Sequence, residues 1–254
     1  ADPGKHFKTV LYTGSMTGGG GKLVSGVGFQ PDLIWIKNRS RSGTSGDGYS
    51  DHALFDSVRG YDSWLASNTT NAQNTNTPDN RLTGVHEDGF SVGYYYVTGY
   101  NGDDYVAWCW KAGGAAVPNT EGSIASQVSA NQTAGFSIVS YTGNGTSGTV
   151  GHGLGKTPNI VLCKNRIDSG NWSFNGNFGG LVYGTNKLVL QTTSAIAADT
   201  NEVTAANATT FTLGNSGATN GSSDAQIAYC WTEIEGFSKF GSFEGNDSSD
   251  GSFV

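Results

Sequence analysis

Hydrolysis by paired carboxylates needs two acids converging on one bond. The chain offers two close pairs, Asp103 with Asp104 and Glu233 with Glu235. Neighbouring side chains on a strand point to opposite faces, which makes Asp103 and Asp104 a turn rather than a catalytic pair. Glu233 and Glu235 share a face but trail an apolar run and read as solvated. The histidines His6, His52, His86 and His152 are scattered, without the His-x-x-x-His or Cys-x-x-Cys spacing of a zinc site. Gly155-Lys156-Thr157 has Val150 where a phosphate-binding loop needs its first glycine, and it runs directly into Pro158. Hard oxygen ligands gather in Asn246-Asp247-Ser248-Ser249-Asp250-Gly251, but the distal Glu and alternate spacing of a calcium loop are missing. A structural calcium at that turn is the one exception to an expectation of no cofactor, no metal and no enzymatic activity.

Binding chemistry is better represented. Lectin-like sandwiches bind sugars with an exposed aromatic flanked by Asn, Asp and Gln, and the loop residues Tyr94, Tyr95, Tyr96, Tyr100 and Trp172 could serve in that way. A structural reading competes with this one. In it Tyr94 to Tyr96 alternate into a sheet and Trp172 plugs the end of a sandwich. Lys37-Asn38-Arg39 recurs as Lys164-Asn165-Arg166, so the two triplets are expected to do the same work, an arginine at a strand end bracing a loop.

The elements that carry these residues are predicted to be short strands. Among 254 residues there are 39 glycines, 14% charged and 11% aromatic residues, a composition suited to many strands joined by tight turns and poor in the helix formers Ala, Leu, Glu and Lys. A net charge of -7 argues against a nucleic-acid partner, which demands clustered Lys and Arg. No run of about 18 apolar residues predicts a membrane span, and Ala1-Asp2-Pro3-Gly4 holds no apolar leader core. Cys109, Cys163 and Cys230 each sit inside an apolar run and are read as buried thiols.

Repeats organise the chain. Residues 7–14 (FKTVLYTG) match 136–143 (FSIVSYTG) at an offset of 129, and 31–39 (PDLIWIKNR) match 158–166 (PNIVLCKNR) at 127. Phe90-Ser91-Val92-Gly93 matches Phe211-Thr212-Leu213-Gly214, and Val106-Ala107-Trp108-Cys109-Trp110 matches Ile227-Ala228-Tyr229-Cys230-Trp231, both at 121. The kept order predicts two tandem, diverged β-sandwich domains of jelly-roll or lectin-like type, at 1–111 and 135–235, joined by a connector at 112–134. A partial third start at Gly236-Phe237 makes 236–254 a truncated repeat or an exchanged C-terminal extra strand. In the last matched block Val106, Trp108 and Trp110 share one strand face and Tyr105, Ala107 and Cys109 the other, so both faces are expected to meet packed neighbours.

Taken together, Tyr141-Thr142-Gly143-Asn144-Gly145, the Lys-Asn-Arg blocks, Leu54-Phe55-Asp56-Ser57-Val58-Arg59-Gly60, the run from Val106 to Gly114 and Gly236 to Gly241 resemble repeat domains of structural proteins from marine tailed bacteriophages. The resemblance covers about Phe7 to Phe243. It implies a non-enzymatic virion component of tail-fibre, spike or head-decoration type at the particle surface. Other virion proteins would be its partners, with a homo-oligomer, a trimer by preference, and a host-surface glycan as a possible ligand. The second copy has Gly179-Gly180-Leu181-Val182-Tyr183-Gly184 in place of the Leu54 to Gly60 segment, so a binding role for Arg59 would belong to the first copy alone. A secreted lectin-like carbohydrate-binding module is the alternative.

Overall fold

The computed structural model describes residues 2–15, 21–41, 50–75 and 81–247. Within them the chain is all-β apart from a 3-10 turn at Pro3–Lys5 and one helical turn at Gly217–Asn220. Among the described residues no helix is long and apolar enough to cross a membrane.

In the first half a large antiparallel sheet runs in the order β1 (Phe7–Thr13), β9 (Asp104–Trp110), β3 (Leu33–Asn38), β4 (Ala53–Asp56), β5 (Ser63–Ala66), β6 (Asn74–Thr75). A small sheet, β2 (Lys22–Ser25), β8 (Gly89–Val92) and β7 (Leu82–His86), closes one of its faces around a core that includes Ile34, Phe55, Phe90, Tyr105 and Cys109. The second half has the corresponding order β12 (Phe136–Thr142), β20 (Ala225–Trp231), β14 (Ile160–Asn165), β15 (Ser173–Gly176), β16 (Asn186–Val189), β17 (Ala197–Ala198). Its small sheet is β13 (Gly148–Gly151), β19 (Thr210–Leu213) and β18 (Val203–Ala206), over a core that includes Val139, Cys163, Phe211 and Cys230. Registers agree as well. Phe7 and Leu33 both pair with Trp110, and Phe136 and Ile160 both pair with Trp231.

Two sequence expectations change here. The segment 112–134 carries two strands, β10 (Val117–Asn119) and β11 (Ser126–Asn131), which extend the second sheet beyond β12. Apolar side chains are few here, Val128 and Ala130 in β11 and Val117 with Pro118 in the edge strand β10, and that low apolar content is what made the segment look like a connector. The expected C-terminal extra strand does not form among the described residues 236–247. Instead the segment folds back on its own half through an isolated bridge between Ile234 and Ser238 and an ion pair of Lys239 with Glu233. Residues 248–254 lie outside the described part of the chain, and with them most of the turn considered for calcium.

A third core lies between the halves. Leu33, Leu54, Leu65 and Ala112 of the first large sheet and its margin meet Ile138, Leu162, Trp172, Ile227 and Tyr229 of the second. The two large sheets are therefore covered on both faces, which explains why β14 is buried at every position where a half-exposed strand such as β2 alternates. Tyr105, Ala107 and Cys109 turn into the first sandwich, while Trp110, with Ile227, Tyr229 and Trp231, turns into this seam.

A buried polar knot pins the seam. Asp56 and Arg59 form an ion pair whose side chains are both 0% exposed. The Tyr229 hydroxyl donates to Asp56 Oδ2 at 2.7 Å across the seam, and the Val58 and Arg59 amides donate to Asp56 Oδ1. Arg59 Nη2 donates to the Leu54 carbonyl at 2.9 Å. Further bonds cross from half to half: Trp172 Nε1 to the Ala66 carbonyl (2.9 Å), Arg166 Nε to Gln73 Oε1 (2.8 Å), and the Gly170 amide to the Thr70 carbonyl (2.7 Å). The strand register sets the counterpart of Leu54 to Gly60 at 174–180, earlier than the 179–184 stretch matched by sequence. The amides of Ser57 and Asn177 make the same bond, to Asp32 and Asn159 respectively. Gly176 and Gly179 therefore stand where the first half has Asp56 and Arg59.

Removing one partner of such a buried pair leaves the other charge uncompensated. Asp56→Ala is expected to lower stability by about 3–5 kcal/mol, whereas Tyr229→Phe costs about 1–3 kcal/mol, the penalty of one lost buried partner. Urea unfolding of the two variants checks both values, and a smaller loss for Asp56→Ala than for Tyr229→Phe would contradict the assignment.

Candidate functional site

In each half, the strand that bears the Lys-Asn-Arg triplet holds down the loop leading into the central strand of the sheet. Asn38 is fully buried and its Nδ2 donates to the Tyr96 carbonyl (2.9 Å) and to Asp103 Oδ2 (2.9 Å). Asn165 does the same to the Gly217 carbonyl (3.1 Å) and Asp224 Oδ2 (2.8 Å). Both side-chain oxygens cap the turn that follows, Asn38 taking the Ser40 and Arg41 amides and Asn165 the Ile167 and Asp168 amides. The lysines repeat too, Lys37 Nζ bonding the Asn38 carbonyl and Lys164 Nζ the Asn165 carbonyl. The asparagine, with the lysine before it, is thus what the two braces share, and the arginine is not. Arg39 is exposed, while Arg166 is spent on the seam through Gln73.

The Tyr-Thr-Gly signature serves the same loop. Tyr12 Oη donates to the Thr98 carbonyl at 2.6 Å, and Tyr141 Oη to the Thr219 carbonyl at 2.6 Å. A Cβ on Gly14 would lie 2.0 Å from the Tyr100 carbonyl oxygen and one on Gly143 2.2 Å from that of Gly221, so only glycine lets the loop approach.

On this shared scaffold the halves differ at the surface. The first loop carries Tyr94, Tyr95, Tyr96 and Tyr100, and the corresponding positions of the second are Asn215, Ser216, Gly217 and Gly221. Tyr96 and Tyr100 stack with ring centroids 4.5 Å apart, and Tyr94 lies 5.0 Å from Tyr100. The Arg41 guanidinium sits 4.5 Å from the Tyr100 centroid and 5.0 Å from that of Tyr96, within cation–π range. It is held there by an ion pair with Asp103, the same carboxylate that Asn38 grips. Tyr94 is 41% exposed and Tyr96 and Tyr100 are half-buried, so three rings and a guanidinium form one accessible patch.

The other expected site residues do not join it. Tyr95 turns toward the first core, with the Arg81 guanidinium 3.9 Å from its ring centroid. Trp172 is 0% exposed in the seam, and Arg59 is locked in the ion pair below it, so neither meets solvent. Burial of Trp172 agrees with the structural reading given above, although the ring sits between the two large sheets and not at a sandwich end; that of Arg59 follows from the packing of two sheets face to face, which no local pattern announces. Arg41 and Asp103 were missed as site residues; the signal available was an acid at the end of the tyrosine loop. Asp103 points inward while Asp104 is exposed and accepts from Thr13 Oγ1, and Glu233 is occupied by Lys239 and the Phe240 amide with Glu235 exposed. Neither acid pair converges.

A family model described as a domain of unknown function (DUF7483) matches residues 2–254. The chain belongs to the DUF7483 family. Neither the curated proteins nor the solved structures give a match. The family model spans both sandwiches and the seam, so the tyrosine patch and the polar knot both fall inside it.

Lys164 gives the scaffold a pH signature. Its ammonium group has no accessible surface, donating to the Asn165 and Asp168 carbonyls at 2.8 and 3.2 Å, and burial brings its pKa down from 10.5 to about 8 against the opposing pull of Asp168. Between these two values the unfolded chain binds more protons than the folded one, so this lysine's contribution to stability is least favourable below pH 8 and improves as pH rises. Urea midpoints of Lys164→Met and the parent, measured side by side from pH 7 to 10.5, should therefore shift in the parent's favour as pH increases; a constant difference would refute the assignment. For the asparagine brace, Asn38→Ala strands buried partners and is expected to cost about 1–3 kcal/mol in the same assay.

Proposed function

We propose that this chain is a non-enzymatic binding protein of a bacteriophage particle exterior, of the fibre, spike or decoration kind, that meets a host-surface glycan through Tyr94, Tyr96 and Tyr100. The viral setting rests on the sequence resemblance. The recognition surface rests on one observation: the same asparagine-braced loop occurs in both halves, and only the first dresses it with stacked tyrosines. A scaffold that stands without the rings does not need them for folding, so they are free to serve recognition. Tyrosine suits the task because its ring stacks on the apolar face of a sugar while its hydroxyl bonds the sugar's own, and a ring already held by Arg41 loses little freedom on binding.

One sheet edge supports the assembly part of this reading. In the second half β11 pairs with β12, whereas among the described residues no strand pairs with the outer edge of the corresponding β1. An open edge of this kind takes an added strand from a neighbouring subunit, in keeping with a symmetric homo-oligomer on the particle. A secreted lectin-like module is the second reading, favoured by the same tyrosine patch, and it differs in being monomeric.

Two measurements test the proposal. On an array of bacterial surface polysaccharides the protein should bind a subset, and Tyr100→Ala should weaken that binding roughly tenfold, the worth of about 1.4 kcal/mol of stacking. Retention of full affinity by Tyr100→Ala, or no binding by the parent, defeats the glycan reading. Mass in solution decides between the settings, a closed oligomer supporting the particle protein and a monomer the secreted module.

A further inference from the structure

At one end of the seam the two sheets leave a cavity of about 350 Å³. Its wall includes Trp35, Trp110, Phe136, Leu162, Trp231 and Phe240. The three tryptophans are half-buried, in contrast to Leu33, Leu54 and Trp172 elsewhere in the seam, which are closed off completely. The C-terminal segment helps to shut the cavity, since the Phe240 amide and Lys239 are both tied to Glu233 and Phe240 packs 6.0 Å from Phe178. At about 30 Å³ for each water-sized group the space suits roughly twelve non-hydrogen atoms, near the small end of ligand pockets.

Among the described residues, His6 and Ser238 are the lining residues with polar side chains other than the tryptophan indoles. The Ser238 hydroxyl accepts from the Ile234 amide and donates to the Thr232 carbonyl. At His6, Nδ1 lies 3.1 Å from Asn131 Nδ2, and the orientation of that amide is set because its oxygen accepts from the Ala134 backbone. Nδ1 is therefore the acceptor, and in the neutral ring Nε2 carries the proton. Burial, with Lys111 nearby and Lys5 largely offset by Asp2, its ion-pair partner, keeps the imidazole pKa below its usual value, so the ring is mainly neutral at pH 7. Lys111 itself is exposed. The site thus joins an apolar chamber to one imidazole donor with a lysine beside it.

We propose that this cavity binds a medium-chain fatty acid, its hydrocarbon chain against the seam tryptophans and its carboxylate accepting from His6 beside Lys111. The volume matches a chain of about ten carbons, the lining has the chemistry of the hydrocarbon, and the His6 donor, with Lys111 bonded through its amide to the His6 carbonyl at 2.8 Å, favours a carboxylate over a cation of the same length.

Sodium decanoate titrated into the full chain, below its micelle concentration and followed by tryptophan fluorescence and calorimetry, should bind saturably at one site. Decyltrimethylammonium should bind less well. Leu190→Trp, which fills the cavity, should weaken decanoate at least about tenfold. Lys111→Glu, an exposed substitution that leaves the fold intact, should weaken decanoate by about fivefold and improve the cationic probe. Absence of saturable decanoate binding overturns the proposal, as does equal affinity for the two probes or unchanged decanoate affinity in Lys111→Glu. Circular dichroism of Leu190→Trp establishes whether that variant is folded; if it is not, the Lys111→Glu comparison decides.

Discussion

The structure depends on the burial of both faces of its two large sheets. A strand such as β20 sends Ala228 and Cys230 into one core and Ile227, Tyr229 and Trp231 into another. Each completely buried large apolar side chain contributes about 1.5–3 kcal/mol, so the seam between the sandwiches is a core in its own right. Neither sandwich can keep its outer sheet face dry alone, because that face bears Leu33 and Leu54 on one side and Trp172 and Leu162 on the other. The two halves are consequently partners in one packed body.

Within that apolar seam, polar groups determine position. Apolar contact is indifferent to small slides, whereas an ion pair with no access to water tolerates no loss of its bonds. Asp56, Arg59 and Tyr229 therefore fix how one sheet lies on the other. The second half has glycines at the positions corresponding to Asp56 and Arg59, so the knot is built once and shared. A similar economy governs the loops. One buried asparagine in each half satisfies a carbonyl, a carboxylate and two amides, and this leaves the rest of each loop at liberty to vary. Tyrosines and Arg41 occupy that freedom in the first half, while small polar residues occupy it in the second.

Much of this was legible in the chain. The blocks around Tyr12 and Tyr141, Asn38 and Asn165, and Trp110 and Trp231 fall on strands at corresponding places, because apolar runs of five to seven residues closed by glycine and asparagine encode strands locally. The recurrence of Lys-Asn-Arg pointed to a shared task, although the arginine drew attention that belonged to the asparagine. Three things were not legible. The strands at 117–119 and 126–131 have too few apolar residues to stand out, and the buried side of the second is filled partly by Ser126 and Ser129. Arg59 looks like a surface group in a loop until another sheet is laid over it, and Trp172 reads as a sugar platform or a sandwich plug, not as part of a seam between two sheets. Arg41 and the tyrosines are separated by more than fifty residues and meet only in the folded chain, where Asp103 holds the guanidinium against the rings.

The sequence by itself determined the strands of the matched blocks, their recurrence in the same chain order in each half and the buried thiols, because each of these depends on short-range stereochemistry and on a period of two. Only the tertiary structure decided which tyrosines remain at the surface, which arginine is buried and where a cavity opens. Those outcomes depend on what covers the second face of each sheet, and a period of two is silent about that: it separates one face from the other and leaves unsaid whether the second meets water or another sheet.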